Sequence, residues 1–254
     1  MTNNPPFLPS LGMAGLFSHF HYLTDEEKQH LQAGSDGKVH VFLNGIFTPP
    51  YEAAVYAEQH AENKNVPLYF VVFPQADSAI SELLVAGYQK FMENNFWGLT
   101  NSTQEAKDLV YSHGITGLEL YGHSRGTMTL GNMLYSFKQE GVHGIAKETT
   151  INFFGPAYNT QNMADILYIL SDGKQDYVNL ENHKYDFVGT KIGKNPYTFE
   201  QIPPGSGPWK EAGQIFKGYP SVHVCYGHPS DACTKFYGLP NRTPIYSKYS
   251  GRKK

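Results

Sequence analysis

From Lys38 onward, apolar runs of strand length alternate with stretches of helical spacing. VHVFL (39–43) is β-branched and apolar and stops at Asn44-Gly45, after which Pro50 opens an Ala-rich helical stretch to Asn63. LYFVVF (68–73) is continuously apolar, the pattern of a parallel strand covered on both faces, and Asp77 to Asn95 returns to helical spacing. A further helix is expected over 103–112. LELY (118–121) then reads as a strand, Arg125 to Phe137 as a helix, TINFF (150–154) as a strand and Gln161 to Leu170 as a helix. YVNLENH (177–183) alternates in polarity. This order predicts an α/β fold with a mostly parallel central sheet, right-handed crossovers and flanking helices.

Two segments break the alternation. Residues 1–35 are rich in Pro, Gly and aromatics and carry one short helix signal, the Thr-x-x-Glu capping box at Thr24, so they read as a leader packed on the domain formed by 36–254. Residues 189–220, crowded with Gly, Pro and aromatics, hold at most one short helix near Lys210. A long irregular insert suits a lid or substrate-binding loop, and equally an ordered surface loop without a role.

The 254 residues fit one α/β domain, and 40% hydrophobic with 17% charged residues suits a packed core. A net charge of -3 gives no basic field for nucleic acid, and Arg252, Lys253 and Lys254 read as a solvated tail. No apolar run is long enough to span a bilayer, and the first residues lack a charged n-region followed by an apolar core, so a soluble chain without its own export signal is expected. Cys225 and Cys233 flank a turn-like GHPSD. A small-loop disulfide and two free thiols are both open readings, and the spacing does not fit zinc. No metal or cofactor is expected.

The strongest chemical signal is Gly122-His123-Ser124-Arg125-Gly126, between the strand LELY and a helix with Leu130, Met133, Leu134 and Phe137 on one face. A serine hydroxyl needs presentation to a base, and a sharp strand-to-helix turn projects it above the sheet. Such a turn brings the neighbouring backbone close, so the positions two residues either side must lack bulk, and Gly122 and Gly126 do. The helix N-terminus and the Arg125 N–H would face a developing oxyanion, with Ile46, after Asn44-Gly45, as the second donor. His123 reads as a packed neighbour, since its side chain leaves the turn in a different direction.

An acid and a histidine should follow on loops after later strands, in that order. Asp186 lies past YVNLENH and before the insert, where the acid belongs. Asp165 in a helical pattern, and Asp172 and Asp176 in turns, are competitors that read as solvated. His223 and His228 follow Asp186. His223, in SVHVCYG, is preferred as base because that segment is better suited to hold an imidazole within hydrogen-bond reach of the serine. His228 sits in a His-Pro turn that reads as structural.

LYGHSRGTMTLGN, KYDFVGTKIGKNP and SVHVCYG together resemble the α/β-hydrolase toxin domains at the C-termini of filamentous-haemagglutinin and contact-dependent growth inhibition proteins of Gram-negative bacteria. More distantly, the acid segment is similar to the Asp-x-Val motif of lipases. The likeness spans 38 to 238 and implies the α/β-hydrolase fold, with Ser124 as nucleophile, Asp186 as acid and His223 as base. It also implies delivery into a target bacterial cell as part of a larger surface protein, and a cognate immunity protein covering the mouth near 189–220. The activity expected is hydrolysis of acyl esters, lipids among them, through an acyl-enzyme. A binding module or inactive toxin scaffold that keeps the fold is the reading from a different class.

Overall fold

The computed structural model describes residues 10–14, 20–45, 57, 67–72, 101–217, 221–227 and 230–252. The helices expected at 50–63 and 77–95 fall outside the described residues, Ala57 apart, which is helical and buried. Ile46 and His228 also lie outside them.

The chain opens with β1 (Ser10–Ala14), β2 (Phe20–Tyr22) and α1 (Asp25–Gln29), followed by β3 (Val39–Leu43) and β4 (Leu68–Val72). After α2 (Asn101–His113) come β5 (Leu118–His123), α3 (Gly126–Gln139), β6 (Thr149–Phe154), α4 (Thr160–Leu170) and β7 (Tyr177–Glu181). A π-helical turn at Val188–Ile192, α5 (Pro208–Lys217), a 3-10 turn at Val222–Val224, α6 (Asp231–Tyr237) and β8 (Thr243–Tyr246) complete the order. Thr24 caps α1 as its pattern predicts: its hydroxyl accepts from Glu27 N at 3.2 Å and the Glu27 carboxylate accepts from Thr24 N at 2.8 Å.

These strands form one sheet in the order β2-β1-β4-β3-β5-β6-β7-β8. β4, β3, β5, β6 and β7 are mutually parallel; β1, β2 and β8 join antiparallel at the two edges. The leader therefore contributes two strands to the sheet itself. Strand alternation divides the core between the two faces. Val41, Leu43, Leu120, Ile151, Phe153 and Leu180 pack with the apolar residues of α2, α3 and α4, while Phe42, Phe70, Tyr121 and Phe154 meet Tyr226 on the other face.

The strand order also positions the site. From β3 the chain steps to β4 on one side and then to β5 on the other, so the carboxyl ends of β3 and β5 border the crevice where crossovers diverge. In open α/β sheets this switch point is where ligands bind. Asn44 and Gly45 leave β3 here, and Ser124 leaves β5 beside them. No helix among the described residues is long and apolar enough to cross a membrane.

Candidate active site

Ser124 has φ of 52°, in the left-handed region that a serine enters only when its surroundings dictate it. The surroundings are specific. Its N–H donates to Phe154 O at 3.2 Å, and its carbonyl accepts from the Thr127 hydroxyl (2.6 Å), Thr127 N (3.2 Å) and Ala157 N (3.3 Å). Both flanking positions are tight, and at Gly126 the space excludes any side chain. A Cβ on Gly122 would sit 3.0 Å from the Thr127 side chain, and one on Gly126 would overlap the main chain of Leu43 and Asn44. Arg125, buried, stands at the N-cap of α3, which brings the N–H groups of a helix start to the Ser124 side of the turn. Gly45 is small for a reason the strand pattern did not reveal: a Cβ there would lie 3.0 Å from Ser124 Cβ and 3.4 Å from its Oγ.

Asp186 and His223 come together from segments 37 residues apart, with His223 Nδ1 2.7 Å from Asp186 Oδ2. Asp186 is fully buried and accepts bonds on both oxygens. Val188 N (2.9 Å) and Gly189 N (3.3 Å) donate to Oδ1, while His223 and the Tyr226 hydroxyl share Oδ2. Burial pushes this carboxyl up, but the His223 charge and hydrogen bond, the Tyr226 bond and the Gly189 N–H outweigh it and hold it below its ordinary value. Gly155, at φ 47°, leaves room for the convergence, since a Cβ there would run into Asp186 Oδ2, Tyr226 and His223 Nδ1 together.

The His223 turn is tied to its neighbours at several points. His123 Nε2–H donates to the His223 carbonyl at 2.7 Å, and the two rings lie 4.7 Å apart, so the residue preceding Ser124 grips the backbone of His223. Gly227 N donates to buried Glu181, whose other oxygen accepts from Arg242 Nε and Nη2 at 3.0 and 2.9 Å. Buried Glu211 of α5 accepts from Val222 N, the Tyr237 hydroxyl and the Ser206 hydroxyl, joining the insert to the turn and to α6. Cys225 and Cys233 form a disulfide with Cα atoms 5.5 Å apart, which fixes the turn to α6. Ser124 Oγ and the His223 ring share no hydrogen bond; the link between the two residues runs through His123.

The competing acids are engaged elsewhere. Asp165 is not solvated as its helical pattern suggests: it is buried, and its carboxylate holds the C-terminal segment through the Ser247 hydroxyl (3.0 Å), Lys248 N (2.9 Å) and Lys248 Nζ (3.1 Å). Asp172 pairs with Lys147 and Asp176 with Arg252. His183 is buried with Nε2–H on Gln201 O at 2.7 Å and Nδ1 accepting from Tyr185 N, which leaves no nitrogen for a reaction. Burial holds its pKa below the ordinary value, partly offset by the Gln201 bond.

The first part of the insert is bound to the body of the fold. Asn195 receives Thr160 N at 2.7 Å and donates to the carbonyls of Pro156 and Tyr158, and Thr198 N donates to Asn182 O. Trp209, on α5, is 85% exposed. A separate polar cluster, Asp36, His40 and Glu119, brings metal-ligating atoms within 4.8 Å of one another. Its geometry is that of a closed hydrogen-bond network: Asp36 occupies His40 Nε2 and the Tyr121 hydroxyl occupies Nδ1, on opposite edges of one ring.

No protein-family model, curated protein or solved structure matches this chain. Sequence reasoning missed Tyr226, Glu211 and Glu181, whose links to the His223 turn, to Asp186 and to α6 join residues far apart in the chain. It also missed the Asn44 side chain, buried at the end of β3 with no hydrogen bond on either amide atom among the described residues. Such an orphaned group is itself a signal of a functional crevice.

Proposed function

We propose that the chain is a serine hydrolase of the α/β-hydrolase fold, in which Ser124 is the nucleophile, His223 the general base and Asp186 the acid that orients it. The observation that carries this reading is the buried His223–Asp186 pair, tied through His123 to a strained serine at the sheet's switch point. His223 Nε2 takes the Ser124 proton as Oγ attacks an acyl carbonyl, and the imidazolium returns it to the departing alcohol. Asp186, ionised and buried, fixes the Nδ1–H tautomer and stabilises the imidazolium. The Arg125 N–H at the start of α3 and the Ile46 N–H after Gly45 are the proposed oxyanion donors. Water, activated by the same histidine, releases the acid product. The Ser124–His223 bond forms when substrate closes the site, as catalytic hydrogen bonds commonly tighten on binding.

The substrate class proposed is acyl esters, lipids among them. Exposed Trp209 supports a lipid, because α5 carries this apolar ring on the helix that Glu211 joins to the base's turn. The motif resemblance further supports an interbacterial toxin role, in which hydrolysis of membrane lipid would damage the recipient cell and an immunity protein would protect the producer. A non-catalytic module draws on one observation, the absent Ser124–His223 bond.

Labelling with a fluorophosphonate probe separates the two. The hydrolase reading expects one adduct, on Ser124, and turnover across an acyl-chain series or on phospholipids. Folded protein that neither labels nor turns over any of these overturns it. Expression in a bacterial host tests the toxin role, with growth slowed by the active chain and restored by Ser124→Ala. An active enzyme harmless in both cytoplasm and periplasm removes that role and leaves the esterase.

A further inference from the structure

We propose that Tyr226 is a positioning residue that weakens the hold of Asp186 on His223, by donating its buried hydroxyl to the same Asp186 oxygen that faces the imidazole. The inference rests on the triad reading above and deepens it. Asp186 Oδ2 receives two donors, His223 Nδ1–H at 2.7 Å and the Tyr226 hydroxyl. The hydroxyl proton has one destination, because Tyr226 Oη itself accepts from His183 N–H at 3.2 Å. The ring is fully buried and wedged against Phe199 (5.9 Å, edge-on), His123 (6.1 Å) and His223 (6.4 Å, edge-on), so it cannot swing off the carboxylate.

Two donors on one oxygen compete for its charge. A carboxylate that also binds a phenol holds the imidazolium less tightly than one that binds the imidazole alone. The Tyr226 hydroxyl therefore takes up part of the charge that would otherwise hold the imidazolium, across the pH range in which the base accepts the serine proton. Burial, followed by the charge and hydrogen bond of Asp186, pushes the Tyr226 phenol far up, so it remains a donor throughout that range. Other titratable groups face this pair from every side. His123 stands against both rings, His183 lies behind Tyr226, and the Glu181 charge beyond it is offset by Arg242.

Tyr226→Phe keeps the ring and deletes the donor. The acid limb of the pH–rate profile should move up by roughly one pH unit, as suits the loss of one bond to a charged group. The His223 Nδ1 proton, followed by NMR at acid pH, should move downfield as its bond to Asp186 strengthens. A merely space-filling tyrosine would lower stability and move neither. If the phenylalanine variant misfolds, 3-fluorotyrosine at position 226 retains the packing and strengthens the donor, so both readouts should move in the opposite direction. An unmoved acid limb and an unmoved proton resonance in folded protein overturn the role of Tyr226 even where Ser124 labels normally. Failure of Ser124 to label, with the resonance still responding, overturns the hydrolase reading and leaves the Tyr226–Asp186–His223 coupling standing.

Discussion

On the Ser124 side of the site, geometry is set by main chain and by missing side chains. The serine's own N–H and carbonyl carry most of the restraining bonds, and Gly45, Gly122 and Gly126 provide the space. On the His223 side, geometry is set by side chains: Asp186, Tyr226, His123 and Glu211 hold a short 3-10 turn, and a disulfide closes it. The first arrangement follows from a strand meeting a helix, closed in by the backbone of the neighbouring strands β3 and β6. The second is assembled from distant loops, each contributing one buried polar group. The Ser124 side should therefore tolerate almost no added bulk and show little pH dependence, whereas the His223 side should be sensitive to charge, protonation and redox state.

The largest effects separate chemistry from support. Ser124→Ala should reduce ester hydrolysis about a millionfold, to background, with the unfolding midpoint preserved or raised. Asp186→Asn should lower kcat by about ten-thousandfold, since the amide favours the wrong imidazole tautomer. A greater loss from Asp165→Asn would break the assignment of the acid, because Asp165 serves the C-terminal segment in this structure.

Steric and covalent support come next. Gly126→Ala should destabilise the fold by roughly 3 kcal/mol in chemical denaturation, because the added methyl meets backbone atoms of Leu43 and Asn44 that cannot step aside. Near-normal stability would show that the elbow is looser than its contacts indicate. On the other side, Cys225→Ser with Cys233→Ser should cost about 2 kcal/mol and lower kcat more than it changes KM, because the His223 turn loses its tether to α6. Two freely alkylated thiols in protein made in an oxidising compartment would refute that tether.

The smallest effect is on stability against pH. His183 and Asp186 both have folded-state values below their ordinary 6.5 and 3.8. Each therefore stabilises the fold fully above its ordinary value, and that contribution is lost as pH falls through the folded one. Urea midpoints should decline below about pH 6.5, as His183 is forced to charge, and decline again below about pH 3.8. Stability that rises on acidification would contradict both.

The same contrast explains what can be read from sequence. Ser124, Gly122, Gly126, the Thr24 cap and the parallel strands are local patterns, and the spacing alone places them. Asp186 and His223 are singled out as the proposed acid and base by their order along the chain, and the structure joins the two residues by a hydrogen bond. Tyr226 is invisible in the sequence because its partner lies 40 residues earlier. β1 is invisible for a different reason: SLGMA has no strand periodicity and becomes a strand by pairing with β4. β8 contains Pro244, which a central strand would reject but an edge strand accepts.

The left-handed backbone of Ser124 places folding and chemistry at odds at one residue. Glycine adopts that conformation without strain, so the fold on its own would prefer a residue with no side chain here, and every folded copy that keeps the hydroxyl forgoes some stability to retain it. On the proposed function, a lineage that lost its need for hydrolysis would drift first at this position. The serine's presence is then a record of selection for a reaction, written against the preference of the scaffold.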